Sequence, residues 1–269
     1  MRHIAAGQRI IGVMPLDLLV FGPHPDDIEI GMGATVALHA RRGDRVGLVD
    51  LTRGELGSNG TPDERVAEAA EASAVLGAAL RLNLGLPDGG LSADDEGQLD
   101  RIVRVVRAHR PRAIAMPYWE DRHPDHGAAS RLLRQAIFRA GLRRVVTADD
   151  PWRPEWVCHY FINDGATPSF VVDVSDTYEL KRQALACHRT QFTPAGGGAA
   201  ATRLTSPIFT QLVESRDAQF GALAGVRWAE GFVVREPIAR PHLFKSTADT
   251  AVERVPADPM QADAEARRA

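Results

Sequence analysis

The chain has 269 residues, of which 44% are hydrophobic and 25% are charged, a composition that excludes a disordered or fibrous chain. Its formal net charge is −3 and the acidic and basic residues are interspersed, so no partner that needs a basic surface is expected, neither nucleic acid nor an anionic membrane. A small molecule remains as the expected partner.

The two cysteines, Cys158 and Cys187, form no C-x-x-C motif. A disulfide framework or a thiolate zinc finger is therefore not expected, and a reducing, cytoplasmic location is favoured. The apolar run 10–21 is interrupted by Pro15 and Asp17, and no other run approaches the roughly 18 residues of a membrane span.

Strands and helices alternate through the first half of the sequence. The helix 61–76 has the clearest signals, because Thr61 can cap it, Pro62 can begin it, Glu64 completes a capping box and Gly77 can end it. The alternation predicts an α/β fold, a Rossmann-like and mostly parallel sheet with helices on both faces. Strands are predicted at 17–22, 45–51, 79–84 and 112–117, and helices at 31–42, 61–76, 99–106 with an end before 111, and 126–140.

The second half has weaker signals, which predict elements that complete the sheet and form walls of the site. We expect a short N-terminal extension over 1–15, a single domain over 16–244 and a disordered tail over 245–269. The Gly/Ala-rich segment 193–202 is predicted to be a mobile loop. Strands are predicted at 156–162, 170–174 and 227–234, and helices at 177–188 and 207–223.

Two short stretches rich in histidine and aspartate each follow a predicted strand. They are HPDD at 24–27 and RHPDH at 122–126. In a parallel α/β sheet the carboxyl ends of the strands share one edge, where ligands bind. We therefore expect the two stretches to meet in space, although about a hundred residues separate them.

These residue types are typical of a catalytic metal site. Two imidazoles and one carboxylate with an open coordination position suit Zn²⁺, and Fe²⁺ would accept the same ligands. His24 and Asp27 supply two ligands, and either His123 or His126 supplies the third. Asp26, adjacent to Asp27, is left to face the bound water as the general base.

The histidine that does not bind the metal has a second predicted role. A protonated imidazole on the far side of the substrate carbonyl would stabilise the developing oxyanion or protonate the leaving amine. Asp125 is expected to hold that imidazole in its charged form. Together these parts predict metal-assisted hydrolysis of an amide or ester.

Five blocks of sequence extend the two His-Asp stretches, namely HPDDIEIGMGAT, LTRGELGSNGT, LNLGLPDGGL, PYWEDRHPDHGAAS and WAEGF. Through these blocks, from about Leu18 to Arg235, the sequence resembles the LmbE/PIG-L deacetylases, in particular the N-acetylglucosaminyl-malate deacetylases of bacillithiol biosynthesis. The resemblance implies a zinc site of His24, Asp27 and His126, with Asp26 as the base and His123 as the group that stabilises the tetrahedral intermediate.

The same resemblance implies an amino-sugar substrate and a homo-oligomer, either a trimer or a hexamer. It assigns Arg53 to the sugar hydroxyls, and Asp88, Ser58 and Asn59 are expected as further substrate contacts. For the last three residues, ordinary turn chemistry is the alternative explanation. Trp228 stands where close relatives have tyrosine in YAEGF.

Other functions remain open at this point. The same metal chemistry would serve a thiol-conjugate amidase or a chitooligosaccharide deacetylase. A nucleotide-binding module is disfavoured, because Val36 stands where the third glycine of a dinucleotide fingerprint belongs. A metal-binding protein without turnover is disfavoured too, since metal storage needs neither Asp26 nor His123.

Overall fold

The computed structural model describes residues 15–193 and 199–238. The predictions for the N-terminal extension before Pro15, for positions 194–198 of the Gly/Ala-rich segment and for the tail 245–269 therefore lie outside the described residues. Within the described part of the chain, no helix is long and apolar enough to cross a membrane.

The predicted α/β fold is confirmed, with seven strands in one mostly parallel sheet. Its strand order is β3-β2-β1-β4-β5-β7-β6, and β7 runs antiparallel to both of its neighbours. The strands are β1 (Leu18–Gly22), β2 (Val46–Thr52), β3 (Leu80–Leu86), β4 (Ala113–Pro117), β5 (Trp156–Tyr160), β6 (Phe170–Asp173) and β7 (Ala229–Val233). The helices are α1 (Asp27–Arg41), α2 (Pro62–Leu76), α3 (Glu96–His109), α4 (Pro124–Ala140), α5 (Tyr178–Cys187), α6 (Arg189–Phe192) and α7 (Pro207–Ala224).

Strand β1 lies in the middle of the sheet and contributes to a hydrophobic core on each face. Leu19 and Phe21 pack with residues of α3 and α4, whereas Leu18 and Val20 pack with residues of α1, α2 and α5. All four side chains are buried, as expected for a parallel strand covered by helices on both faces. Burial on both sides fixes β1 in place, and with it the turn that follows.

The order of the strands brings the two His-Asp stretches together. Strand β1 pairs in parallel with β2 on one side and with β4 on the other, so the chain reverses its direction of winding between β1 and β4. Ligands bind at such a switch point, beyond the carboxyl ends of the strands. HPDD follows β1 and RHPDH follows β4, so both stretches lie at this point.

Helix α1 begins earlier than predicted and contains a break. It starts at Asp27 rather than at Gly31, and Met32 has non-helical angles, with φ −151° and ψ 26°. The break divides α1 into a first segment, 27–31, and a second segment, 33–41. Gly31 faces β5 so closely that an added Cβ would overlap the ring of Tyr160. This glycine thus lets the first segment approach the sheet.

Candidate metal centre and active site

A cavity of about 530 Å³ opens at the carboxyl edge of the sheet. Both His-Asp stretches contribute to its wall, together with the loop that follows β3. The cavity is lined by the predicted site residues His24, Asp26, Asp27, Asp88, His123 and His126, and also by Arg65, Arg122, Gln191 and Arg203.

The Asp27 carboxylate connects two of the imidazoles. Its Oδ2 lies 2.9 Å from His24 Nδ1 and 3.3 Å from His126 Nε2. Ring nitrogens of His24, His123 and His126 lie within 4.8 Å of one another. Because Asp27 contacts His126 and not His123, the geometry favours a donor set of His24, Asp27 and His126.

A carboxylate also orients His126 from behind. Asp121 Oδ1 lies 3.0 Å from His126 Nδ1, which leaves Nε2 to face Asp27. Asp121 itself accepts hydrogen bonds from the backbone and side chain of Asn163. A carboxylate behind a metal-binding histidine is the usual way in which proteins fix the ring and its tautomer. The sequence analysis missed Asp121, although it lies two residues before His123.

Carboxylates surround His24, and their negative charge favours a cation at this position. Its Nε2 lies 3.0 Å from Asp88 Oδ1 and 3.4 Å from Asp125 Oδ2. Although burial opposes the charged form, hydrogen bonds that Asp125, Asp27 and Asp88 accept from the ring raise the pKa of His24 well above its usual range. Burial likewise opposes the charged form of His126, but the carboxylates of Asp27 and Asp121 raise its pKa to about 9.

These observations test whether the residues fit a metal ion. Asp27 Oδ2 contacts a ring nitrogen of His24 and a ring nitrogen of His126, and two imidazoles with a carboxylate are a donor set that zinc accepts. Surplus carboxylates surround the imidazoles and raise the pKa values of His24 and His126, so this position favours a compensating positive charge. A divalent cation would supply the same compensation, so the residues fit the predicted metal.

Asp26 occupies an unusual backbone position beside these ligands. Its φ of 134° is a value that residues with a side chain rarely adopt, and such strain is concentrated at functional sites. Burial raises the pKa of Asp26 to about 6, and the Arg65 cation opposes that rise. A carboxyl group with a pKa near neutrality suits the predicted role of proton acceptor.

Arg65 is the arginine that pairs with Asp26. Its Nη2 donates to Asp26 Oδ2 at 3.2 Å and to the Pro25 carbonyl at 3.0 Å, and its Nη1 donates to the Gly54 carbonyl at 3.0 Å. Arg65 lies in the first turn of α2, where side chains point back towards the amino end of the helix. That direction, combined with the predicted cap at Thr61, was the signal that could have identified it.

Three predicted substrate contacts lie elsewhere. Arg53 forms an ion pair with the exposed Asp63 and does not line the cavity, and Ser58 is exposed outside it. Asn59 is buried, and its side chain exchanges two hydrogen bonds of 2.8 Å with the backbone of Ala200. The loop 53–60 therefore contributes Leu56 and Gly57 to the cavity wall instead.

Asp125 does not hold the imidazole that the sequence analysis assigned to it. Its carboxylate accepts from the Gly89 backbone N–H at 2.7 Å and faces His24, whereas its own backbone N–H donates to His123 Nδ1 at 3.3 Å. Asp125 lies in the first turn of α4, which turns its side chain away from the capping residue His123. Burial lowers the pKa of His123, and the positive charges of His126 and His24 lower it further.

Below the site, a second buried arginine ties α1 to the sheet. Arg81 of β3 pairs with Glu29 of α1 and, at 2.8 Å, with Asp50 of β2. Burial opposes ionisation of Glu29, yet Arg81 and His188 lower its pKa to about 2. Glu29 is thus a buried carboxylate that anchors the first segment of α1 to two strands.

Comparisons with known proteins agree with this geometry. A family model described as PIG-L, GlcNAc-PI de-N-acetylase, matches residues 19–137. The chain is 30% identical over 241 residues to 1D-myo-inositol 2-acetamido-2-deoxy-alpha-D-glucopyranoside deacetylase 2 of Saccharopolyspora erythraea, covering 69% of this chain and 87% of that protein. The chain belongs to the PIG-L family.

Other PIG-L relatives differ in the molecule they are named for. The chain is 29% identical over 229 residues to the diacetylchitobiose deacetylase of Thermococcus kodakarensis, covering 80% of this chain and 81% of that protein. It is 27% identical over 190 residues to a probable N-acetyl-alpha-D-glucosaminyl L-malate deacetylase 2 of Bacillus subtilis, covering 65% and 82%. The solved structure of the conserved protein TT1542 from Thermus thermophilus superposes with a TM-score of 0.77 at 40% identity, covering 86% and 100%.

The PIG-L relationship confirms that this chain is an enzyme of the N-deacetylase class, and the cluster of His24, His123 and His126 is consistent with the predicted dependence on a metal. Trp228, which stands where close relatives have a tyrosine, lies outside the cavity, so the site does not depend on a hydroxyl group at this position. Its ring stacks on Tyr178, with centroids 4.1 Å apart. In this PIG-L protein the WAEGF block therefore lies behind the site.

Proposed function

We propose that this chain is a zinc-dependent N-deacetylase of a GlcNAc-containing small molecule with an anionic aglycone, of the N-acetylglucosaminyl-malate type used in bacillithiol biosynthesis. The observation that supports the reaction is the buried Asp26 carboxylate, paired with Arg65 and adjacent to the convergent His24, Asp27 and His126.

The residues divide the work of amide hydrolysis. A zinc ion held by His24, Asp27 and His126 would polarise the acetyl carbonyl and lower the pKa of a coordinated water to about 7. Asp26, with a pKa of about 6, is mostly ionised at neutral pH and accepts the proton of the attacking water. The same carboxyl group then delivers that proton to the amine that leaves.

His123 acts as a neutral hydrogen-bond donor in this proposal. Its Nδ1 accepts a hydrogen bond from the Asp125 backbone N–H, so the proton of the neutral ring is on Nε2. His123 lines the cavity, and Nε2–H can therefore donate to the oxyanion that develops on the carbonyl. This assignment replaces the protonated imidazole expected from the sequence, because the lowered pKa of His123 favours the neutral ring.

Two further arginines support an anionic aglycone. Arg122 and Arg203 line the mouth of the cavity, and both residues are exposed. Among the described residues, neither guanidinium has a carboxylate partner in an ion pair. Guanidinium groups bind carboxylates in a bidentate manner, so this mouth suits the malate carboxylates better than the neutral hydroxyls of a second sugar or an inositol.

Release of free amine from N-acetylglucosaminyl-malate tests this function. N,N′-diacetylchitobiose, the N-acetylglucosaminyl-inositol and a thiol conjugate serve as competing substrates at equal concentration, and bound metal is measured in the same preparation. We expect the malate compound to have the highest kcat/KM and about one zinc per chain. Preference for a neutral substrate would overturn the aglycone assignment, and inactivity on all four compounds would overturn the substrate class.

A pair of variants controls for the arginines. Arg122→Gln should raise KM for the malate compound and leave KM for diacetylchitobiose nearly unchanged. Arg131→Gln removes a neighbouring guanidinium that does not line the cavity and should change neither value. The preference for zinc over Fe²⁺, the homo-oligomeric state and the cytoplasmic location stay predictions.

A further inference from the structure

The WAEGF block contains a charged residue that the proposed chemistry does not use. Glu230 lies in β7 and is completely buried. Its Oε1 accepts from the Ala34 backbone N–H at 3.2 Å, and its Oε2 accepts from the Thr35 backbone N–H at 2.7 Å. Both N–H groups lie just after the break at Met32. Glu230 thus caps the second segment of α1 at the point where the helix is interrupted.

Glu230 belongs to a balanced group of buried charges. Lys181 Nζ donates to Glu230 and to Asp217 at 2.7 Å each, and Arg216 Nε donates to Asp217 at 2.9 Å. Lys181, Asp217 and Glu230 have no solvent exposure. Because two cations face two carboxylates, each buried charge has a partner, and the group resists displacement.

The same group contacts the back of the active-site wall. Arg216 Nη2 donates to the Ile30 carbonyl at 2.8 Å, and its Nη1 donates to the Ile162 carbonyl at 2.9 Å. Ile30 and Ile162 both line the cavity. Arg216 therefore holds the end of the first segment of α1, while Glu230 holds the start of the second.

The first segment of α1 needs such support. It comprises residues 27–31, little more than one turn, and a single turn is not stable by itself. Asp27 is its first residue and Glu29 and Ile30 follow. A rotation of this segment would move the Asp27 carboxylate relative to His24 and His126.

We propose that Glu230 and Arg216 are positioning residues, which fix the two sides of the break in α1 and thereby the direction of the Asp27 carboxylate towards His24 and His126. This inference rests on the proposed metal site. It assigns to the WAEGF block a role in metal affinity, exerted through the backbone of α1 and without contact with substrate.

Zinc affinity, measured by competition with a chromophoric chelator on the full chain, tests the proposal together with kcat, KM and the free energy of unfolding. Glu230→Gln keeps the shape of the side chain, but its NH₂ group cannot accept from a backbone N–H. We expect its zinc Kd to rise about tenfold and its kcat to fall, with KM nearly unchanged. Arg216→Lys should shift zinc affinity in the same direction, and it carries the test if Glu230→Gln does not fold.

Thr177→Val is the matched control. Thr177 Oγ1 is buried and donates to the Ala34 carbonyl at 2.9 Å, so this variant also loses one hydrogen bond to α1 next to the break. It retains the contacts of Glu230 and Arg216. We expect Thr177→Val to lower the free energy of unfolding while zinc affinity stays at the wild-type value.

The outcomes separate this inference from the proposed function. Wild-type zinc affinity and kcat in Glu230→Gln, or in Arg216→Lys if only that variant folds, would overturn the inference and leave the proposed function intact. Equal weakening of zinc binding by Thr177→Val would also overturn it, because the effect would then reflect stability alone. A wild-type chain that binds no zinc would overturn the proposed function and the inference together.

Discussion

Arg65 Nη2 lies 3.2 Å from Asp26 Oδ2, and both side chains are almost completely buried. The pair joins the first turn of α2 to the residue that precedes α1. It therefore combines two tasks, since Arg65 favours the ionised form of Asp26 and also holds the turn that carries His24 and Asp27.

Replacement of Arg65 should impair both stability and turnover. Arg65→Met leaves a buried carboxylate without its partner, which costs about 3 kcal/mol or more of the free energy of unfolding. Arg53→Met is the matched control, because Arg53 pairs with an exposed carboxylate and such pairs contribute about 0.5 kcal/mol. Urea unfolding and steady-state kinetics would compare the two. If Arg53→Met lowered kcat/KM as much as Arg65→Met does, the assignment of Arg53 to the sugar hydroxyls would be restored.

Replacement of Asp26 should separate chemistry from metal binding. Asp26→Asn keeps the shape of the side chain but cannot accept a proton, so kcat should fall by about 10² to 10⁴. Zinc affinity should stay close to wild type, because Asp26 is not in the donor set. Single-turnover rates and metal analysis would check both values. Near wild-type turnover would show that another group is the base.

Removal of the metal should lower stability. Ligands come from the turn after β1, from the first residue of α1 and from α4, so a bound ion joins two distant parts of the chain. Zinc at a hundredfold excess over its Kd should add about 2.7 kcal/mol to the free energy of unfolding, and chelation should abolish this gain. His24→Ala should show no zinc-dependent shift in thermal midpoint. His39→Ala, which alters a histidine paired with Asp44 away from the site, should keep the shift.

Acid should destabilise the protein through His159. Burial lowers the pKa of His159 to about 4, from a usual value of 6.5, although a hydrogen bond to the Val233 carbonyl opposes the shift. Above pH 6.5 the ring is neutral in both states and contributes no pH dependence. As the pH falls from 6.5 to 4, His159 becomes protonated in the unfolded chain but stays mostly neutral in the folded chain. The free energy of unfolding therefore falls by up to about 3 kcal/mol.

The variant His159→Gln isolates this contribution. Urea unfolding at pH 7 and pH 4.5 would give the acid-induced loss for both proteins, and we expect a smaller loss for His159→Gln. The comparison cancels the carboxylates that also titrate in this range, because both proteins contain them. An identical loss in the two proteins would mean that His159 titrates normally.

Two glycines of α1 should respond in opposite ways to the same change. Gly31→Ala would place a methyl group against the Tyr160 ring and 2.8 Å from the Phe161 carbonyl oxygen. We expect a loss of about 1 to 3 kcal/mol from such overpacking. At Gly33 the nearest atom would be Lys181 Cγ at 3.4 Å, an ordinary contact. Gly33→Ala should therefore be neutral or gain up to about 1 kcal/mol from helix propensity, as measured by thermal unfolding.

The sequence was sufficient for the sheet and for the centre of the site. Alternating strands and helices predict the parallel core, and the position of HPDD and RHPDH after β1 and β4 places His24, Asp27 and His126 at one edge. These are local patterns, and the rules of parallel sheets extend them to three dimensions. The six cavity-lining residues that were predicted come from turns directly after strands or from the first turn of the helix that follows.

The surroundings of the site could not be predicted, because they depend on the direction of single side chains. Arg53 and Arg65 both follow β2, and the predicted cap at Thr61 was the one signal that favoured Arg65 as the residue that enters the cavity. The Asn59 side chain is hydrogen-bonded to the backbone of Ala200, which is 141 residues away along the chain. Periodicity and turn signals contain no information on such pairings.

The buried contacts of Arg81 also limit how this protein can change over evolutionary time. Arg81 pairs with Glu29 and Asp50 at once, so loss of Arg81 would leave two carboxylates in the interior without their cation. A substitution at position 81 should therefore be tolerated only together with changes at positions 29 and 50, and the effects of substitutions at these three positions should be strongly non-additive. Among homologues, we thus expect the surface loops to vary freely in sequence and the residues at these three positions to vary together.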